Sequence, residues 1–386
     1  MASLKNILLV YPEIPKTTYW SFSYALPFIQ KKSAMPPLGL ITVAALFPAD
    51  SQVKLVDMNV EPLREEDVAA CDAVFISAMI IQKDSMKQVI ELCGKQQKPV
   101  IAGGPYPTTS YKEIDGVDHF VLGEVDLTFG AFLNDFVNGR AQKIYVPPER
   151  PSIEHLLPPR FDLLKMNYYQ SMAVQFSRGC PFSCEFCDIW KIYGNRSRLK
   201  LSSTLLKELD ALFALGWRGA VFVVDDNFIG NKKGVKTGLL PELLKWQKDH
   251  KFAFRFNTEA SVNLADDEKL MAVMRDAGFN QVFLGIETPS VECLRETNKH
   301  LNAKTDLAGA VRRIQSFGIE VTAGFIVGFD NDTDDIFDRQ IAFIFQTGIV
   351  QAMVGILIAL ALSSLYLTVT LPTSAHGPLT LPARQT

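Results

Sequence analysis

The chain predicts an α/β protein in two halves, a doubly wound, Rossmann-like sheet followed by a partial (β/α)6 barrel. Three observations carry that prediction. Short apolar, β-rich runs alternate with helical stretches along most of the sequence, and each run ends in Gly, Pro, Asp or Asn, as buried parallel strands do. The alternation pauses at a proline-rich stretch near residue 150. It then restarts, which divides the chain into two similar α/β rhythms.

In the first half, Ile7 to Val10, Val53 to Val56, Ala73 to Ser77, Val100 to Ala102 and Phe120 to Leu122 are the strands. Leu38 to Phe47 and Met86 to Cys93 supply helical stretches between them. Ligands of such a sheet lie beyond the C-terminal ends of its strands. Between Tyr11 and Pro37 runs a long irregular connection carrying Pro12, Pro15, Pro27, Pro36 and Pro37. A loop of that length inside a compact domain is a functional candidate. Val146-Pro147-Pro148-Glu149-Arg150-Pro151, with Pro158-Pro159 beyond, predicts an extended linker. The second half places strands at Ala173 to Ser177, Ala220 to Val224, Ala253 to Phe256, Gln281 to Ile286, Val321 to Val327 and Ala352 to Leu357. Their polar C-terminal ends would face one active site. The boundaries that follow are 1–145, a linker at 146–170, a barrel at 171–366 and an atypical tail at 367–386.

A chain of 386 residues holds two or three cores, and 48% hydrophobic with 21% charged residues excludes wholesale disorder. A formal net charge of -3 gives no broad basic field for nucleic acid. Three of six cysteines, Cys71, Cys93 and Cys293, are scattered in apolar or helical contexts and predict buried small hydrophobes, not disulfides. The N-terminal apolar run is too short for a signal peptide, and the reduced cysteines fit a cytoplasmic setting. Residues 349–371 carry no charge and are long enough for a membrane-span candidate, but the run begins inside the sixth barrel strand. From Leu367 to Thr386 only Arg384 is charged, and Pro372, Pro378 and Pro382 interrupt any period. A truncated or frame-shifted end is the expectation, with membrane contact left open.

The remaining cysteines form Cys180-Pro-Phe-Ser-Cys184-Glu-Phe-Cys187, a CxxxCxxC run just after the first barrel strand. A loop this short predicts three sulfurs turned toward one point. Buried structural cysteines, or a zinc knuckle completed by a distant His, are the plainer alternatives. No fourth ligand lies nearby in sequence, and three thiolates leave one iron of a 4Fe-4S cluster open to a small molecule.

Polar residues gather where the barrel strands end. Asp225-Asp226-Asn227 follows an apolar strand, and three such side chains are costly there unless something binds them, although turn capping explains part of the run. Glu259 and Glu287 close the third and fourth strands, and Gly324-Phe325-Ile326-Val327-Gly328 forms the fifth. Each glutamate alone would be a solvated or capping carboxylate, and a strand Gly marks either a bulge or close backbone approach. In the first half Gly103-Gly104-Pro105-Tyr106-Pro107-Thr108 turns sharply after a strand. It recurs with Asp57-Met58-Asn59, Ser77 and Gly123-Glu124 at other strand ends, where bare backbone can meet a large ligand.

The cysteine spacing, with Phe186 just before the third Cys, resembles the radical S-adenosylmethionine enzymes. The first-half loops resemble the cobalamin-binding domain that precedes the barrel in one large class of them. Leu215-Gly216-Trp217-Arg218-Gly219, Val224 to Lys233 and Gly324 to Asp334 are similar to the subgroup that includes bacterial hopanoid C-2 methylases. The resemblance runs from about Asn6 to about Tyr366, and the tail departs from it. It implies that Cys180, Cys184 and Cys187 hold the cluster, and that Phe186, Asp225, Asn227, Glu259, Glu287, Gly324 and Gly328 contact S-adenosylmethionine. It implies cobalamin contacts from Asp57, Asn59, Ser77, Gly103, Gly104, Pro105, Thr108, Gly123 and Glu124. The ligating His of the familiar Asp-x-His pattern is absent, because Asn59 stands there. The implied activity is methyl transfer to an unactivated carbon of a hydrophobic, hopanoid-like substrate through a 5′-deoxyadenosyl radical, with ferredoxin or flavodoxin as electron donor. The same parts could instead serve a radical cyclisation or rearrangement, or a corrinoid-binding protein made inactive by its altered end.

Overall fold

The computed structural model describes residues 4–18 and 21–357, and the backbone of Tyr366–Thr370. In the first half β1 (Asn6–Tyr11), β2 (Gln52–Asp57), β3 (Ala73–Ser77), β4 (Val100–Gly103), β5 (His119–Val121) and β6 (Ile144–Tyr145) form one parallel sheet in the order β2-β1-β3-β4-β5-β6. Between the strands run α1 (Leu38–Ala44), α2 (Glu65–Ala69), α3 (Lys83–Lys95), α4 (Pro105–Ser110) and α5 (Phe129–Val137). The strand order reverses between β1 and β3, which opens the ligand crevice of a doubly wound sheet at their C-terminal ends.

Alternation along the strands sorts two cores. Leu8, Val10, Val56, Val74, Ile76 and Phe120 pack on α2, α3 and α4. On the other face Ile7, Leu9, Phe75, Ile101 and Val121 meet α1 and α5, and this core runs on without a break into the barrel.

The second half opens with β7 (Ser171–Val174), followed by an antiparallel ribbon of β8 (Ser177–Arg178) and β9 (Arg198–Leu199) around α6 (Ile189–Ile192). Then come β10 (Ala220–Val223), β11 (Arg255–Ala260), β12 (Phe279–Glu287), β13 (Glu320–Val327) and β14 (Gln351–Ile356). β7 and β10 to β14 pair in parallel, in sequential order, as a partial barrel requires. Its outer helices are α7 (Ser202–Ala214), α8 (Leu240–Asp249), α9 (Glu268–Asp276), α10 (Val291–Glu296), α11 (His300–Ala303), α12 (Leu307–Ser316) and α13 (Ile336–Thr347). The backbone of β15 (Tyr366–Thr370) adds antiparallel to β14.

Several expectations change here. The strand placed at Ala173 to Ser177 is two strands, because Asp225 takes the Phe176 N–H and the Ser177 hydroxyl and breaks the ladder after Val174. The third barrel strand begins later than placed, after a turn in which Lys251 and Phe252 both have positive φ, so Glu259 lies within it. The linker is docked rather than free. Phe161, Leu164 and Tyr169 join the shared core, and the backbone of Lys32 and Ser33 bonds to the Tyr168 carbonyl at 2.9 and 3.2 Å. Two short 3-10 turns, Phe161–Leu163 and Met166–Tyr168, replace an extended path. Cys71, Cys93 and Cys293 are buried and free. Among the described residues no helix is long and apolar enough to cross a membrane, and the uncharged run at 349–371 begins as β14. Residues 358–365 and 371–386, most of the expected atypical tail, lie outside the described residues.

Candidate cofactor site

The ribbon β8–β9 is the base of a loop that presents Cys180, Cys184 and Cys187. Gly179 opens it at φ +91, where a Cβ would meet the Arg196 carbonyl at 2.6 Å. The Cys180 N–H donates to the Gly194 carbonyl at 3.2 Å, and the Trp190 ring N–H to the Cys184 carbonyl at 3.2 Å, so the loop is folded on itself. Burial pushes all three thiols up, Cys187 to about 11, while Lys299 pulls Cys184 the other way. Thiols held this way keep their protons until a metal displaces them. Among the described residues no three His, Cys, Asp or Glu groups converge on a single ion. Cys180 and Cys184 each push the Cys187 thiol further up, so the three lie near one another. A cluster gives each cysteine its own iron, so its ligands stand apart.

The polar run after β10 serves that loop in sequence. Asp225 is fully buried and accepts from Phe176 N at 2.7 Å and Ser177 Oγ at 2.6 Å. Asp226 reaches Gly179 N at 3.4 Å, and Asn227 places its Nδ2 4.0 Å from Cys180 Sγ while bonding Ser261 Oγ at 3.2 Å. Burial raises Asp225 and Asp226 to about 6 each, with Asp225 adding to Asp226. On β11 every influence on Glu259 disfavours its charge. Burial comes first, then Asp226, Asp225 and Glu287, and the carboxyl rises to about 8.

A register shift between Gly285 and Glu287 turns Glu287, at φ +67, toward Lys299, whose Nζ stands 2.5 Å from Oε1. The pair lies over Gly285, where a Cβ would meet the flexible ends of Glu287 and of Lys299, the latter at 2.9 Å. Lys299 also lies 5.6 Å from the centre of the Phe186 ring, and Phe186 packs on Phe329 at 6.3 Å. Gly324 leaves room for the Phe283 ring, which would be 2.8 Å from its Cβ. Gly328, at φ +100, passes beside the Leu357 carbonyl, and its N–H donates to Asp332 at 2.7 Å.

At the first sheet, the turns after β3, β4 and β5 come together. Gly104, at φ +87, lies against Ser77, Gly103 lies against the Val121 carbonyl, and Thr108 Oγ1 accepts from Gly123 N at 2.9 Å. Pro105 is exposed at the start of α4. Asp57 and Asn59 turn inward instead. Asp57 accepts from Tyr169 OH at 2.9 Å and from Asn59, whose Oδ1 takes the Ile14 N–H at 2.8 Å. Glu124 is taken by Arg178 and Arg198. The geometry gives Asp57, Asn59 and Glu124 the work of shaping and joining loops.

Residues 174–344 match the radical SAM superfamily and residues 29–133 the B12 binding domain. An uncharacterized methyltransferase of Synechocystis is 45% identical over 361 residues, 93% of this chain and 67% of that protein. Hopanoid C-2 methylase of Rhodopseudomonas palustris is 34% identical over 367 residues, 94% of this chain and 69% of that protein. This chain belongs to the cobalamin-dependent radical S-adenosylmethionine methyltransferases. The fold agrees with a solved radical S-adenosylmethionine methyltransferase, TsrM of Kitasatospora setae with cobalamin and a 4Fe-4S cluster bound, at TM-score 0.70 and 16% identity over 92% of this chain and 75% of that one.

The cofactors of this methyltransferase family are therefore a 4Fe-4S cluster, S-adenosylmethionine and cobalamin, and the chain's own chemistry fits them. The half-buried Cys180 and Cys187 and the buried Cys184 would be its metal ligands. Beside them stand the carboxyls of Asp226 and of Glu259, the latter with no cation acting on it, which suits the amino and sulfonium groups of S-adenosylmethionine. The turns at Ser77, Gly103, Gly104 and Gly123 offer bare backbone and small side chains to a broad flat macrocycle. Sequence reasoning missed Arg178, Arg198, Tyr169 and Lys299. Arg178 gave a weak signal as the residue before Gly179-Cys180, and Lys299 gave none.

Proposed function

We propose that this methyltransferase methylates an unactivated carbon of a hydrophobic, hopanoid-like lipid in the cytoplasm, drawing electrons from a ferredoxin- or flavodoxin-type donor. The observation that carries this reading is the 34% identity to hopanoid C-2 methylase across 94% of the chain. When bound, the cluster, S-adenosylmethionine and cobalamin supply the one-electron chemistry and the methyl group. The chain's share is position and charge. Cys180, Cys184 and Cys187 would hold the metal, tethered by Asp225, Asp226 and Asn227. Glu259, with its carboxyl near 8, would hold or release a proton beside the bound amino group. Phe186, Glu287, Gly324 and Gly328 would shape the rest of the S-adenosylmethionine site, with Lys299 neutralising Glu287. Ser77, Gly103, Gly104, Pro105, Thr108 and Gly123 would form the corrinoid floor.

The test is a comparison of lipids from cells with and without the gene. A methylated lipid should vanish on deletion, return with the wild-type gene and stay absent with Cys184→Ala. An unchanged lipid profile would count against the substrate class.

A further inference from the structure

Glu124 faces the barrel half, and its two oxygens are held by two arginines. Arg178 Nη1 lies 2.8 Å from Oε2, and Arg198 donates from Nη1 at 3.1 Å to Oε2 and from Nη2 at 2.5 Å to Oε1. Asp126 takes a further bond from Arg178 Nη1 at 2.8 Å. Arg178 and Arg198 are partners across the ribbon β8–β9, the two feet of the loop that carries Cys180, Cys184 and Cys187. One buried carboxylate, 5% exposed, therefore grips both ends of the cysteine loop. On its other side Glu124 follows Gly123, whose N–H is bonded to Thr108 in the β4 turn.

Removing this carboxylate would leave Arg198 without its charge partner and Arg178 with Asp126 alone, and Arg198 Nε already lacks a hydrogen-bond partner. Uncompensated buried charge moves toward water. The part free to move is the ribbon and its loop, since the barrel strands are held by their own ladders.

We propose that Glu124 and Asp126 are positioning residues that fix the cysteine loop on the first half, so that a corrinoid bound at the β4 and β5 turns is felt in that loop. The clamp itself rests on the geometry, and its response to a corrinoid rests on the cofactor reading above.

Hydrogen exchange of the full chain tests both parts. In Glu124→Gln, amides of residues 179–197 should exchange at least about tenfold faster while β11, β12 and β13 keep wild-type protection. Asp126→Asn should give a smaller rise in the same segment, and it decides the matter if Glu124→Gln fails to fold. In wild type, hydroxocobalamin should slow exchange at 179–197, and in Asp126→Asn that slowing should weaken. Unchanged exchange at 179–197 in both variants would overturn the clamp, and so would a rise shared equally by the barrel strands. Bound hydroxocobalamin with no effect on the loop would overturn the coupling. Failure of wild type to bind it would overturn the cofactor reading, while the comparison without cobalamin still judges the clamp.

Discussion

Asp225, Asp226 and Asn227 hold successive points of the cysteine loop at Phe176 and Ser177, Gly179 and Cys180. Asp225→Ala would strand two buried donors and should cost about 2–4 kcal/mol in urea unfolding, with iron uptake on reconstitution falling as well. Glu259 gives a pH signature. An ordinary Glu titrates at 4.5 and this one near 8, so between those values the folded protein holds more protons than the unfolded chain. Stability should therefore fall as pH rises from 4.5 to 8. Glu259→Gln should flatten that fall and leave the metal-free protein more stable than wild type at pH 8, with little difference near pH 5. Equal urea midpoints for the two proteins at pH 8 would contradict the assignment. The carboxylates at the strand ends were legible because polar residues closing apolar runs stand out in sequence. Their partners were not. Asp225 meets Ser177 across 48 positions, and no local pattern announces such a contact.

At the scale of elements, parallel strands buried on both faces read as short apolar runs, so β1 to β5 and the barrel strands were recognisable. Two-residue strands carry no period, so β6 and β9 were missed and β8 was read as the end of the first barrel strand. So was the shift at Gly285 that aims Glu287 at Lys299, because a bulge is set by packing with β13. The Gly103-Gly104 turn is a harder constraint than sequence alone implied. Gly104 has positive φ and no room beside Ser77, so Gly104→Leu should distort the turn and weaken hydroxocobalamin binding at least about tenfold. Iron loading in that variant should stay at wild-type level, since the cysteine loop is built on the barrel half. Wild-type cobalamin affinity would remove the turn from the site.

For the whole molecule, one core crosses from the first sheet through Phe161, Leu164 and Tyr169 into the barrel, which joins the two halves as closely as parts of one domain. Calorimetry of the metal-free protein should show a single cooperative transition, and two resolved transitions would show that the halves fold independently. Sequence showed the two α/β rhythms that form the two sheets but read residues 146–170 as an extended linker, because prolines mark irregular backbone without saying whether it is docked. The central claim is that three thiols on one half and a corrinoid on the other act on the same substrate. The most direct test is anaerobic reconstitution of the full chain with iron, sulfide, hydroxocobalamin and reductant, followed by trideuteromethyl-labelled S-adenosylmethionine and a bacterial lipid fraction. The account predicts both 5′-deoxyadenosine and S-adenosylhomocysteine, with the label in a lipid. Formation of 5′-deoxyadenosine without S-adenosylhomocysteine, or of neither, would contradict it.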